Sequence, residues 1–183
     1  MKVKYVLFRY LVLVILITST NTLFSLPSKT TNTINNDAVV GLNERIAPGK
    51  SDNFILETII PENNQEVFEL ESINGKIVLR GSSSLALTRA FNWYLNHYCY
   101  TSVSWYKAEP IDMPSVLPVV TQKVRKSCRF EKRFFLNYCT FGYTTLWWQW
   151  DDWERLIDWM ALNGINMPLA ITGQEYSWQK VWT

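Results

Sequence analysis

Along residues 1–25 polar and apolar positions are segregated rather than alternating. Lys2, Lys4 and Arg9 open the chain, an apolar run fills residues 10–17, and Thr18, Ser19 and Thr20 follow. This is the layout of a secretory signal peptide, and its uninterrupted apolar core is shorter than the roughly 20 residues that span a bilayer. The segment therefore predicts export to a secreted, periplasmic or lysosomal-type compartment, with cleavage near Ser25. Contact with a membrane is expected only if the segment stays uncleaved. Residues 26–37, rich in Ser, Thr and Asn without periodicity, read as a flexible lead-in.

A period of two begins at residue 54. Residues 54–60 alternate and close at Pro61, and the β-rich runs 67–73 and 76–80 are joined by Asn74-Gly75, a pair suited to a type I′ hairpin turn. Three strands are predicted. The period then changes: after Gly81 and the serines at 82–84, Leu87, Ala90, Phe91, Tyr94, Leu95 and Tyr98 fall on one helical face, which should cover the sheet. Residues 102–106 are β-rich again, and Pro110, Pro114 and Pro118 mark a loop. The unit so outlined, residues 38–122, is a small α/β sandwich-like domain.

Residues 123–133 carry Lys123, Arg125, Lys126, Arg129, Lys132 and Arg133 against one acid, Glu131. With neither an aromatic platform nor a recognition helix beside them, the charges read as a solvated linker and not as a nucleic-acid surface. Beyond it, residues 134–139 form a buried-strand pattern and Leu146, Trp150, Trp153, Ile157 and Met160 draw a helical stripe. Asp151 and Asp152 lie early in that helix, where they suit its dipole, and Asn163-Gly164 stops it. Residues 165–171 form a second apolar strand despite Pro168. Strand, helix, strand in this order predicts parallel pairing through a right-handed crossover.

Composition supports a folded chain, with 48% hydrophobic and 15% aromatic residues, and seven of the nine Trp lie between Trp147 and Trp182. The formal charge of +2 comes from the leader: without residues 1–25, 15 basic face 16 acidic residues. A nearly neutral mature chain gives no global attraction to nucleic acid. Three cysteines, Cys99, Cys128 and Cys139, have neither metal-ligand spacing nor the even count of a disulfide framework. Cys99 reads as a buried free thiol.

In a β-α-β unit of this type, chemistry gathers at the carboxyl ends of the strands. The first strand delivers Asn137 and Cys139, with Tyr143 on its loop; the second delivers Thr172, Gly173, Gln174 and Glu175. Each has a plainer alternative. Asn137 and Gln174 could satisfy backbone groups, Cys139 and Tyr143 could be packing, and Glu175 could cap the next helix. Trp150 and Trp153 are expected to pack against the strands, whereas Trp147, Trp148 and Trp178 are open between packing and a stacking surface.

Three motifs, NYCTFGYT, WWQWDDWERLIDWMALNGIN and TGQEYSWQKVW, resemble glycoside hydrolase family 89, the α-N-acetylglucosaminidases. The likeness extends from about residue 38 onward. It implies residues 134–183 as the first β-α-β portion of a truncated TIM (β/α)8 barrel. It also implies an exo-acting retaining glycosidase that releases terminal α-linked N-acetylglucosamine from a glycan, without cofactor or metal. Two carboxylates are required, because the 2-acetamido group is cis to an α-linked leaving group and cannot attack from behind; in the family both are glutamates on later strands. By the same likeness Asn137, Cys139 and Tyr143 line the sugar pocket, and Gln174 and Glu175 stand at its rim. The 183 residues alone are expected to be inactive and prone to aggregate. Two other readings stay open: a non-catalytic carbohydrate-binding or vestigial fragment, and a membrane-anchored interaction protein.

Overall fold

The computed structural model describes residues 34–170 and 174–183, without the side chains of Gln174 and Glu175. The expected signal peptide, most of the lead-in, Thr172 and Gly173 lie outside the described residues. Among the described residues no helix is long and apolar enough to cross a membrane.

A helix unforeseen in the sequence comes first. α1 spans Asn36–Ile46, and the Asn35 side chain caps it by accepting the Ala38 N–H at 3.1 Å. Val39 and Leu42 bury one face of it, while Asp37 suits its amino-terminal dipole.

The sheet has four strands, one more than predicted: β1 (Phe54–Thr58), β2 (Glu66–Ile73), β3 (Lys76–Gly81) and β4 (Val124–Cys128), in the order β1-β3-β2-β4. β1 runs parallel to β3, whereas β2 is antiparallel to both β3 and β4. The β2–β3 turn is as expected, with Asn74 at φ 50° and Gly75 at φ 77°, the left-handed pair a type I′ turn demands. α2 (Ser84–His97) lies across the sheet, its start capped by Ser83 Oγ, which accepts the Ala86 N–H at 3.0 Å. Phe68, Leu70, Ile77 and Leu79 from the strands meet Leu87, Phe91 and Tyr94 from the helix in one continuous core.

β4 arises within the segment expected to be a solvated linker. Glu69 lies between core residues Phe68 and Leu70, so alternation turns its side chain to the opposite face of the sheet. There Lys123 Nζ stands 2.6 Å from its carboxylate, and Arg125 bridges Glu69 and Glu62. Three of the charges that suggested a solvated connector, Lys123, Arg125 and Arg133, are therefore partners of acids on or beside β2, and Lys126 lies over the Trp93 ring at 5.2 Å. Residues 102–106, in turn, form no strand; with no ladder partner, their β propensity goes into packing instead. Trp105 stacks on Tyr106 at 3.7 Å and meets Trp148 and Trp159 at 5.5 and 6.5 Å.

Beyond the sheet come β5 (Phe134–Phe135), the single-turn α3 (Thr140–Tyr143), α4 (Trp150–Leu162), β6 (Met167–Pro168) and α5 (Gln174–Trp182). β5 and β6 pair in parallel as predicted, though each is far shorter than the six or seven residues expected. Pro168 is tolerated because the ladder passes it by. Met167 N–H donates to Arg133 O at 3.2 Å and Leu169 N–H to Phe135 O at 3.0 Å, so the missing donor falls at a non-bonding position.

α4 differs from its predicted stripe. Leu146, Trp150 and Ile157 are exposed, and the buried positions are Leu156, Asp158, Met160 and Leu162. One side of α4 is turned toward α1 and α2. Arg45 grips the buried Asp158 carboxylate through two hydrogen bonds of 2.7 and 2.6 Å. Thr88 and Asn92 of α2 donate to the carbonyls of Ala161 and Leu162, at 2.8 and 3.0 Å. The helix ends in a Schellman turn, Ile165 N–H to Met160 O at 2.9 Å and Gly164 N–H to Ala161 O at 3.0 Å. Gly164 is required by its φ of +73°, and any Cβ there would also displace the Arg89 side chain.

Candidate functional site

The end of β5 is a backbone event. Leu136 adopts φ +75°, an uncommon and costly conformation for a branched residue, and the strand stops there. Asn137 follows. Its side-chain carbonyl accepts the N–H groups of Cys139 at 2.9 Å and Thr140 at 3.1 Å, which folds the chain into α3. Both lone pairs of Oδ1 are thereby engaged. Asn137 thus does satisfy backbone groups, and being exposed it keeps Nδ2 as its free donor among the described residues.

Cys139 and Tyr143 share this turn and are exposed, Tyr143 to 65%. Asn137, Cys139 and Tyr143 are thus brought together immediately after β5. Gln174 opens α5 after β6, and nothing is described of its side chain or that of Glu175.

Aromatic packing anchors the turn to α4. Phe141 stacks on Trp153 with centroids 5.9 Å apart, Trp153 meets Trp148 at 5.1 Å, and Trp148 meets Trp105. Trp153 has the packing role expected of it, and Trp148 joins it. Trp150 does not: it is 66% exposed, because the buried side of α4 is turned by the Arg45–Asp158 pair. Trp147 and Trp178 are exposed as well. Sequence reading passed over Thr145, which is buried with its Oγ1 unpartnered among the described residues. Only the fold reveals it, since a threonine in a Thr-Thr pair carries no signal of its own.

Asn137, Cys139 and Tyr143, the candidate side chains described, are neutral polar groups. Among the described residues no cluster of three or more His, Cys, Asp or Glu side chains could hold a metal. The protein's one histidine, His97, ends α2 with Nδ1 3.0 Å from Trp93 O and its ring stacked on Trp93 at 3.9 Å. It is committed there, and the Cys139 turn has no imidazole of its own to activate a thiol.

Two domain models of one family match the chain in succession: the alpha-N-acetylglucosaminidase N-terminal domain over residues 37–119, and the tim-barrel domain of the same family over residues 133–183. The chain belongs to the alpha-N-acetylglucosaminidase family. All five candidate residues fall within the stretch matched by the family's tim-barrel model, and β4 lies between the two matched stretches. Human alpha-N-acetylglucosaminidase is 39% identical over 107 residues, which are 58% of this chain and 14% of that protein. A family 89 glycoside hydrolase from Clostridium perfringens, solved with PUGNAc, superposes with a TM-score of 0.70 at 36% identity, covering 76% of this chain and 16% of that one. Its double glutamate-to-glutamine variant, solved with its substrate GlcNAc-alpha-1,4-galactose, gives a TM-score of 0.75 at 33% identity over 80% of this chain and 17% of that one. These alpha-N-acetylglucosaminidase relatives are glycosidases, and this chain spans less than a fifth of their length.

Proposed function

We propose that this chain is the N-terminal part of an exported, exo-acting, retaining glycosidase that removes terminal N-acetyl-α-D-glucosamine from glycans. In this reading residues 38–122 are an accessory domain and residues 134–183 open a TIM barrel whose sugar pocket is entered at the strand ends. The observation that carries the reading is the Asn137 turn: an exposed amide donor, fixed by two backbone bonds, at the carboxyl end of a strand in the segment that matches the family's tim-barrel model. Its Nδ2 would donate to a ring hydroxyl. Cys139 and Tyr143 would shape the wall, and Gln174 and Glu175 the rim.

Retaining hydrolysis needs an acid and a nucleophilic carboxylate roughly 5 Å apart. Glu175 is a single carboxylate and cannot serve as both. The paired glutamate substitutions in the bacterial substrate complex support a glutamate pair supplied from elsewhere in the whole protein. The 183 residues alone would then bind weakly and not turn over.

The test is release of 4-nitrophenol from the N-acetyl-α-D-glucosaminide by the full-length protein, with proton NMR of the first-formed sugar. Turnover with an α product, and none from the 183-residue chain, is expected. A β product, or turnover by the short chain, would overturn the assignment. Mass of the secreted protein tests export: residues 1–25 should be missing.

A further inference from the structure

Arg133 precedes β5, and its side chain is only 12% exposed, although nothing in the sequence separates it from the basic residues around it. Its guanidinium reaches three ways. Nε donates to Gly164 O in the turn that closes α4, one terminal nitrogen donates to Phe130 O at 2.7 Å, and the other pairs with Glu66 at the start of β2. The backbone of the same residue holds β6. Its N–H donates to Asn166 Oδ1 at 2.8 Å, and its carbonyl accepts the Asn166 and Met167 N–H groups at 3.3 and 3.2 Å. Asn166 completes the bracket by donating Nδ2 to Glu131 O at 2.7 Å. Glu66, in turn, accepts from Ser83 Oγ at 2.6 Å, the residue that caps α2. A chain of polar contacts therefore runs from the start of α2 to the start of β6.

β5 and β6 need such support. Two paired residues make a ladder too short to fix its own register. A slip of one residue would turn each side chain to the other face and bring Pro168, which has no N–H, to a donor position. We propose that Arg133 is a positioning residue: by locking Phe134 opposite Met167, it sets the spacing between the Asn137–Tyr143 turn and the residues that follow β6. The proposal rests on the reading of these strand ends as the sugar site. Arginine is required because a planar fork serves a carboxylate and two carbonyls in different directions, whereas a lysine ammonium could keep Glu66 but not all three.

The test uses the full-length protein with Arg133→Lys, Arg133→Gln and Asn166→Ala. The first readout is amide hydrogen exchange. Exchange of the Met167 and Leu169 amides should quicken about tenfold in Arg133→Gln, less in Arg133→Lys and about threefold in Asn166→Ala, while β2–β3 amides keep their protection. The second is kinetic: KM for the glycoside should rise about tenfold in Arg133→Gln with kcat changed far less, and Arg133→Lys should recover part of the loss. Unchanged exchange at Met167 and Leu169 overturns the proposal, as does loss of protection spread evenly through β2–β3. Should Arg133→Gln fail to fold, Arg133→Lys decides, because it keeps a charge for Glu66 but loses the fork to Gly164 O and Phe130 O. If the unaltered protein hydrolyses no glycoside, the functional reading fails, while hydrogen exchange still decides whether Arg133 sets the register.

Discussion

The regions before and after residues 129–133 use aromatic residues differently. In residues 36–128 Phe68, Phe91 and Tyr94 are fully buried between sheet and helix, and Phe54 meets Phe91 edge-on at 5.1 Å. In residues 134–182 Trp147 and Trp182 are exposed to 83% and 84%, and Tyr176 and Trp178 are exposed too. Aromatic density is therefore no measure of core. The first region closes a sheet–helix core with its aromatics; the second packs Phe141, Trp148 and Trp153 but leaves most of its aromatics exposed, beside a two-stranded sheet. Stability should accordingly reside in the first half, and recognition in the second.

The strongest way to break that contrast is Phe91→Ala, which leaves a cavity in the α2–sheet core. It should cost about 3–5 kcal/mol in urea unfolding. Next comes Arg45→Met. It strands Asp158, which is buried on α4, but Arg45 is itself part-exposed, so the loss should be about 2 kcal/mol, below that for breaking a fully buried pair. Adding Asp158→Leu should recover most of it. If Arg45→Met costs nothing, α4 is not secured to the first half by this pair.

A pH test addresses the other face of the sheet. Burial alone would raise the Glu69 carboxyl, but hydrogen bonds and charge from Lys123 and Arg125 outweigh it and hold the group below its ordinary 4.5. A depressed carboxylate contributes stability above its unfolded pKa and loses it as pH falls through the folded one. Glu69→Gln should therefore cost about 1 kcal/mol at pH 7, since its partners are half-exposed, and the gap to the unaltered protein should narrow as pH falls from 4.5 through the lowered folded pKa. A gap that does not narrow on acidification would mean that the ion pairs are not its source. At the lower end, Trp150→Ser should change stability by less than about 0.5 kcal/mol yet reduce light scattering by the 183-residue chain.

What the sequence disclosed follows the range of the interaction responsible. The β2–β3 hairpin and α2 were legible because a local period, a Ser cap and an Asn-Gly turn specify them within a few residues. α1 was missed although Asn35 and Asp37 mark its start, because Gly41 interrupts its apolar stripe and a polar lead-in precedes it. β4 was hidden because its Arg125 is explained by Glu69, 56 residues away in sequence, and its Lys126 by the Trp93 ring. The face of α4 was misjudged for the same reason, since Asp158 is buried by Arg45, 113 residues away. At the site, family likeness supplied the identities of Asn137, Cys139 and Tyr143. The orientation of Asn137 was beyond it, because that depends on Leu136 turning left-handed.

The smallest effect sharpens the comparison without disturbing the fold. Three free cysteines sample the two halves: Cys99 is half-buried beside α2, Cys128 ends β4, and Cys139 is exposed in the candidate site. Burial pushes the Cys99 thiol up, only partly offset by its hydrogen bond with Tyr94, so its reactive thiolate is scarce as well as shielded. Cys128 lies between, its sulfur in contact with Arg133 and its S–H directed to Phe130 O. Under native conditions a maleimide should therefore label Cys139 first and Cys99 last, the two separated by about tenfold or more in rate. A saturating α-N-acetylglucosamine ligand on the full-length protein should slow Cys139 alone. Protection of Cys99 with Cys139 left unprotected would move the recognition surface to the first half and reverse the contrast.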